Sequence, residues 1–145
     1  MNKSIIIFFI ILVIAFFVTN HFEEYKEVRV NEIIDGDTIR VSNNKVVRLI
    51  GINAPEINEH CYSEAKEELE KLIEHKKVRL EKDVNDKDDY GRLLRYVYVD
   101  DLFVNSEMIR LGLARFEEIE PNTKYSSLFL DLENKARKAG RRIWE

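Results

Sequence analysis

A chain of 145 residues provides one compact domain with a short appendage, and it is too short for two ordinary domains. The net charge of −4 argues against a protein that holds nucleic acid through a broad basic face, but it does not exclude an enzyme that grips a single phosphate. Cys61, the only cysteine, is expected to be a small buried residue, since no intramolecular disulfide can form and a cysteine-based zinc site is disfavoured.

The N-terminal segment differs in composition from the rest of the chain. Residues 5–18 are apolar without interruption and follow a short start that carries Lys3. A helix over this stretch would be about 21 Å long, against about 30 Å for a membrane's hydrocarbon core, which is typical of a signal peptide. No small-x-small cleavage site follows, so a tilted, uncleaved anchor is an open alternative. We expect residues 1–22 to be a signal or membrane-anchor segment that delivers a domain at residues 27–145 outside the cytoplasm.

Alternation of apolar and polar residues predicts several short strands. The pattern is regular over residues 38–41 and 46–52, and an Asn-rich turn at residues 42–44 joins these two stretches. Two more strands are predicted over residues 78–84 and 93–99. The enrichment in β-branched residues and the turn indicate a hairpin or meander.

Helical periodicity appears in three places. Residues 63–75 are predicted as a helix with Ser63 as its N-cap, and residues 106–111 as a short helix capped by Asn105. A last helix is predicted over residues 125–139, with an apolar face made of Leu128, Leu132, Ala136 and Ala139. The element order indicates an α+β, mainly β fold. We expect a small five-stranded OB-fold-like barrel with an inserted helix and C-terminal helices, preceded by the N-terminal hydrophobic segment.

Three short segments carry residue types with chemical potential. They are residues 35–38 (DGDT), residues 48–56 (RLIGINAPE) and residues 88–92 (DDYGR). Taken alone, most of these residues have ordinary explanations, because Asp-Gly-Asp is a common turn sequence and the others suit loops. Arg48 differs, since period-two alternation places it on one face with Ile50 and Ile52. If that face lies inside the barrel, the charge needs a partner or a ligand.

Together these segments resemble the signatures of the staphylococcal nuclease (thermonuclease) family. Residues 35–38 match its Asp-Gly-Asp-Thr, residues 48–56 its Arg-Leu-x-Gly-Ile-Asp-x-Pro-Glu, and residues 88–92 its Asp-x-Tyr-Gly-Arg. A Val-Asn motif followed by Gly-Leu-Ala lies at residues 104–114, and Gly-x-x-x-Trp lies at residues 140–144. Five matches in the family's order exclude chance, and the resemblance covers about residues 30–144.

The resemblance implies that Arg48, Glu56 and Arg92 are catalytic. Two guanidinium groups match the equatorial oxygens of a phosphodiester transition state and stay charged at any working pH. Arg48 and Arg92 would hold that phosphate from two sides, and Glu56 would orient or deprotonate the attacking water.

The resemblance also implies a Ca²⁺ site and a substrate contact. Asp37 would supply a carboxylate, Asn53 a side-chain oxygen and Ala54 its carbonyl, with Asp35 just outside this set. The family has Asp at position 53, so Asn53 removes one negative charge. Tyr90 would contact a phosphate or sugar of the substrate. Two base-stacking tyrosines of the family's best-known member are replaced here by Glu118 and Glu120.

The function implied by the resemblance is a calcium-dependent nuclease that acts on DNA, with RNA as a second candidate substrate, and leaves 3′-phosphates. It would be monomeric and extracytoplasmic, either secreted or held in the membrane through residues 5–18. One alternative is a non-catalytic OB-fold-type nucleic-acid-binding module, although such domains typically lose an arginine or the glutamate that this chain keeps. Another is a domain that only binds calcium, which would leave the paired arginines unexplained.

Overall fold

The computed structural model describes residues 7–12 and 26–145. Residues 7–12 are helical with exposed side chains. Within the described ranges, no helix has the length and apolar character needed to cross a membrane. The prediction of a signal or anchor segment over residues 1–22 lies largely outside the described residues and stays a prediction.

Eight strands form the framework of the domain. They are β1 (Lys26–Asp35), β2 (Thr38–Val41), β3 (Lys45–Leu49), β4 (Ile52–Asn53), β5 (Lys77–Glu81), β6 (Leu93–Val99), β7 (Leu102–Phe103) and β8 (Arg115–Phe116). Five of them close into a barrel in the order β3-β2-β1-β5-β6, and a parallel pairing of β3 with β6 completes the ring. The predicted five-stranded barrel of OB-fold type is therefore confirmed.

The length and curvature of β1 allow this closure. Its first half pairs with β5, from Lys26 opposite Leu80 to Arg29 opposite Lys77, and its second half pairs with β2. Register shifts interrupt the pairing with β2 in two places. Such irregularities bend a strand and increase its twist, so one strand serves both sides of a small barrel.

The core fills the barrel and the space beneath the helices. Apolar side chains alternate inward from the strands, and many of them are fully buried, including Val30, Ile39, Val47, Leu49, Ile52 and Val97. Helix α1 (Tyr62–Ile73) is the predicted inserted helix and buries Ala65, Leu69 and Ile73. Helices α2 (Val104–Arg110) and α3 (Ser126–Lys138) follow β7 and β8.

The start of α1 differs from the prediction. The N-cap residue is Cys61, which has a φ of 65°, and no side chain caps the helix there. The assignment of Ser63 as N-cap is wrong, because the chain enters the helix through this left-handed turn before Ser63 is reached. Cys61 is buried, as expected.

Asn105 does not cap α2, because the helix already begins at Val104. The Asn105 side chain is fully buried and links two parts of the barrel. The Val97 N–H donates to Asn105 Oδ1 (2.9 Å), and Asn105 Nδ2 donates to the Ile50 carbonyl (2.8 Å). The predicted capping role is therefore wrong, and the residue satisfies buried backbone groups instead.

The buried face of α3 also differs from the predicted one. Phe129, Glu133 and Ala136 are buried, whereas Leu128 is 42% exposed. Glu133 Oε1 accepts a hydrogen bond from the Phe116 N–H (3.0 Å), which satisfies a carboxylate within an apolar stripe. Because this charge interrupts the apolar pattern, the sequence favours the neighbouring stripe that starts at Leu128.

Candidate active site

The Asp-Gly-Asp turn between β1 and β2 brings Asp37 against the loop that follows β4. The Asp37 N–H donates to Asp35 Oδ1 (3.0 Å), which closes the turn through a side chain. Gly36 is required for close packing, since a Cβ there would lie 2.6 Å from Ala54 Cβ and 2.9 Å from Ala65 Cβ. The turn is thus pressed between Ala54 and α1.

The carboxylate of Asp37 is buried, with 6% of the residue exposed. Its Oδ2 accepts a hydrogen bond from the Ala54 N–H (2.7 Å), and its Oδ1 accepts one from Thr38 Oγ1 (2.9 Å). Burial raises the pKa of Asp37 to about 6, although the nearby Arg48 guanidinium lowers it. The positive charge of Arg48 therefore does not fully offset the desolvation of this carboxylate.

The guanidinium of Arg48 lies beside Asp37 and is held on several sides. Its Nε lies 3.3 Å from Asp37 Oδ1, and its Nη1 donates to the carbonyls of Leu49 (2.8 Å) and Ile52 (2.6 Å). Its Nη2 donates to Glu117 Oε2 (3.3 Å). Arg48 is only 7% exposed, and a charge buried to this extent needs partners. These partners fix the orientation of the guanidinium.

A short two-stranded sheet forms the outer wall of the site. Strand β4 pairs with β8, with Ile52 opposite Phe116 and Asn53 opposite Arg115. The chain reaches β4 through Gly51, which has a φ of +79°, and a Cβ there would lie 2.4 Å from the Phe129 ring. Only glycine satisfies both the left-handed backbone and this close contact.

A cleft of about 390 Å³ opens beside this sheet. The residues lining it are Asn53, Ala54, Pro55, Glu56, Glu59, His60, Arg115 and Ile143. Glu56 and Asn53 are exposed in it. The Glu56 N–H donates to Glu59 Oε2 (2.7 Å), which stabilises the turn that presents the Glu56 side chain to solvent.

Arg92 and Tyr90 line a second cleft of about 320 Å³. Arg92 Nε donates to Asp88 Oδ2 (2.6 Å), and the Arg92 N–H donates to Asp88 Oδ1 (2.9 Å). Burial opposes ionisation of Asp88, yet the bonds from Arg92 hold its pKa below the usual range. Tyr90 is 86% exposed, and its ring lies 5.4 Å from Arg92 Cζ. The exposed Tyr90 ring therefore lies beside the Arg92 guanidinium at this cleft.

The structure therefore divides the predicted residues into three places. Asp37, Arg48 and Ala54 are in direct contact, while Asn53 and Glu56 line the adjoining cleft. Arg92 and Tyr90 lie at the other cleft. The two clefts are linked through the barrel, because Arg92 directly precedes β6, and β6 pairs with the strand that carries Arg48.

Glu117 is the residue at this site that the sequence reasoning missed. It contacts the guanidinium of Arg48, whereas Glu118 and Glu120 are exposed and make no ion pair with Arg48 within residues 26–145. Period-two alternation beyond β8 places Glu117 on the same face as Arg115. This alternation is the only sequence signal for Glu117, and the pattern does not identify Arg48 as the partner.

The three residues predicted as metal ligands carry oxygen donors of the kinds that a hard cation prefers. The Asp37 carboxylate, the Asn53 side-chain oxygen and the Ala54 carbonyl are the kinds of ligand that Ca²⁺ prefers. In the described part of the chain, no group of three or more His, Cys, Asp or Glu side chains is arranged to hold a metal ion. The donor set fits a cation held by one carboxylate, neutral oxygens and water or phosphate.

Comparison with known proteins gives consistent matches. The sequence model of a family described as "Staphylococcal nuclease homologue" matches residues 46–145. A thermonuclease of Staphylococcus intermedius is 37% identical over 125 residues, which cover 80% of this chain and 74% of that protein. A thermonuclease of Staphylococcus hyicus is 34% identical over 131 residues, covering 84% and 76%. The SPbeta prophage-derived endonuclease YokF of Bacillus subtilis is 38% identical over 133 residues, covering 84% of this chain but 45% of that protein.

Proposed function

Because the chain belongs to the staphylococcal nuclease family, we propose that it is a calcium-dependent nuclease that hydrolyses the phosphodiester bonds of DNA. RNA is a second substrate to be tested, the products carry 3′-phosphates, and the enzyme acts as a monomer. The observation that carries this proposal is the buried pair of Asp37 and Arg48 beside Ala54, with one guanidinium nitrogen directed outward. The relatives that match are named thermonuclease and endonuclease.

Arg48 supplies the first contact to the substrate phosphate. Its Nε and Nη1 are committed to Asp37 and to two backbone carbonyls, so the guanidinium is oriented before substrate arrives. Nη2, whose partner is the half-exposed carboxylate of Glu117 (3.3 Å), is the group proposed to bind a phosphate oxygen. A preorganised donor of this kind stabilises negative charge that develops in the transition state and does not have to reorganise during the reaction.

Glu56 and Arg92 complete the proposed machinery. Glu56 presents an exposed carboxylate within the cleft next to Asn53, where it orients or deprotonates a water molecule. Arg92 uses Nε for Asp88, and no protein oxygen among the described residues accepts from its Nη atoms. Those atoms are therefore proposed to bind the phosphate from the side opposite Arg48. The oxygen of that water then forms a bond to phosphorus, the bond from phosphorus to the 5′ oxygen breaks, and the leaving oxygen takes up a proton from solvent.

Asp37, Asn53 and Ala54 are proposed to hold the Ca²⁺ ion. When bound, the ion neutralises negative charge on a phosphate oxygen. Asp37 is suited to this role because its carboxylate is buried, which raises its pKa to about 6, and Arg48 offsets that burial only in part. Because one carboxylate takes part, we expect a weaker site than one built on two carboxylates.

The experiment is a cleavage assay with the purified protein on single-stranded DNA, double-stranded DNA and RNA, with calcium or with EDTA. We expect cleavage with calcium, none with EDTA, and 3′ ends that a phosphatase converts to hydroxyls. Mobility shifts without cleavage under all conditions would instead identify a binding module. Calcium binding with neither cleavage nor nucleic-acid binding would identify a domain that only binds calcium.

We also propose that the domain is exported and stays attached to the membrane through residues 5–18. The apolar run and the positive start at Lys3 support this proposal, as does the missing cleavage site. Cell fractionation tests it. We expect full-mass protein in the membrane pellet, released only by detergent. A shortened soluble form in the medium would refute the anchor but would still agree with export.

A further inference from the structure

The outward side of the Arg48 guanidinium already has an anionic partner. Glu117 Oε2 lies 3.3 Å from Arg48 Nη2, while the rest of the guanidinium faces Asp37 and two carbonyl oxygens. The Arg48 side chain is 9% exposed, and that of Glu117 is 47% exposed. The carboxylate therefore lies between the buried guanidinium and solvent, on the side from which a phosphate would approach.

The backbone of Glu117 is held in this position by the fold. Its N–H donates to the Gly51 carbonyl (3.1 Å), directly after the pairing of Phe116 with Ile52. The preceding Phe116 N–H donates to Glu133 of α3 (3.0 Å). The Gly51 carbonyl and Glu133 of α3 thus hold the backbone at Glu117 and directly before it, beside the β4–β8 pairing.

We propose that Glu117 competes with the substrate phosphate for Arg48 and so determines the affinity of the site for phosphodiesters. This inference rests on the proposed function, in that Arg48 is the group that binds phosphate. A carboxylate and a phosphate are both oxyanions that accept from the same guanidinium edge, and two anions in one place repel each other.

The competition is reversible, because the Glu117 carboxylate is half exposed and can be hydrated when phosphate displaces it. Displacement takes place when substrate binds, so its cost falls on substrate binding and transition-state binding alike. An interaction lost equally in both states changes KM and leaves kcat unaffected. Glu117 is therefore assigned to substrate affinity and has no part in the chemical step.

Glu118 provides a matched control. It is the next carboxylate in the chain and exposed, and Arg48 forms ion pairs only with Asp37 and Glu117 among residues 26–145. The substitutions Glu117→Gln and Glu118→Gln change the net charge equally, but only the first alters the contact with Arg48. Their difference separates a local effect from the long-range effect of charge.

The test measures KM and kcat on a single-stranded oligonucleotide, and binding of inorganic phosphate by calorimetry without substrate. We expect Glu117→Gln to lower KM and the phosphate Kd by about three- to tenfold, with kcat within about twofold. Glu118→Gln should change each quantity by less than about twofold. Glu117→Asp keeps the charge but withdraws it by one methylene, so its KM and phosphate Kd should lie between those of wild type and Glu117→Gln. This variant replaces Glu117→Gln in the test if the Gln variant does not fold.

Equal shifts in the two Gln variants would overturn the inference, because they would reflect overall charge. Weaker phosphate binding by Glu117→Gln would also overturn it, because Glu117 would then support Arg48. Phosphate calorimetry requires no turnover, so tighter phosphate binding by Glu117→Gln in a protein that cleaves nothing would refute the nuclease proposal and support this inference. If neither wild type nor any variant binds phosphate, the inference is refuted whatever the cleavage assay shows.

Discussion

Removing the buried negative charge of Asp37 should stabilise the calcium-free protein at neutral pH. The substitution Asp37→Asn keeps an oxygen that can accept the Ala54 N–H and removes the charge that burial disfavours. Burial raises the pKa of Asp37 from 3.8 to about 6. Each unit of such a shift corresponds to about 1.4 kcal/mol, so ionised Asp37 costs the folded state on the order of 3 kcal/mol.

The sign of the pH dependence follows from the same shift. The folded protein binds the Asp37 proton more tightly than the unfolded chain does. The contribution of this proton to the free energy of unfolding is therefore complete below about pH 3.8. It is lost as the pH rises through about 6. Arg48 loses an anionic partner in the variant, which opposes part of the gain. We expect Asp37→Asn to be more stable than wild type by about 1–3 kcal/mol at pH 7.5 in EDTA, with most of the difference gone near pH 4.

Urea unfolding followed by the fluorescence of Trp144, the single tryptophan, measures this difference. The titration runs from pH 4 to pH 7.5 in EDTA, with Glu118→Gln as a control that removes an exposed carboxylate and should show no comparable pH dependence. Calcium should stabilise wild type and not Asp37→Asn, since anything that binds the folded state selectively stabilises it. A variant that is less stable than wild type at pH 7.5 in EDTA would refute the reasoning about burial.

Three further predictions concern catalysis, the metal and the core. Arg48→Lys and Arg92→Lys should each lower kcat by about 10²–10³, because a single ammonium cannot replace the fixed set of donors that a guanidinium presents. Near-full activity of either variant would remove that arginine from the mechanism. Asn53→Asp should tighten calcium binding in calorimetry, since two unit charges about 4 Å apart attract by about 4 kcal/mol before desolvation reduces the gain. Unchanged affinity would mean that residue 53 does not face the ion. Asn105→Ala should destabilise the protein by about 2–4 kcal/mol in urea unfolding, because Val97 N–H and the Ile50 carbonyl lose a buried partner, and a loss below about 0.5 kcal/mol would contradict that role.

Local periodicity alone was sufficient for much of the framework. The predicted strands at residues 38–41 and 93–99 coincide with β2 and β6, and the helix at residues 125–139 lies within one residue of α3 at each end. Alternation and helical spacing depend on neighbours a few residues apart, so these elements are readable before the chain folds. The motifs at residues 35–38 and 48–56 likewise contain both members of the buried pair, Asp37 and Arg48.

Tertiary structure decided what those side chains contact. Glu117 and Arg48 lie 69 positions apart and meet only because β8 pairs with β4 beside the closed barrel. Asparagine is a common helix-capping residue, but Asn105 instead bridges Val97 and Ile50. The backbone groups that it hydrogen-bonds come from different parts of the barrel. Partners at such separations are fixed by barrel closure and by the desolvation of buried polar groups, and no periodicity in the chain encodes either.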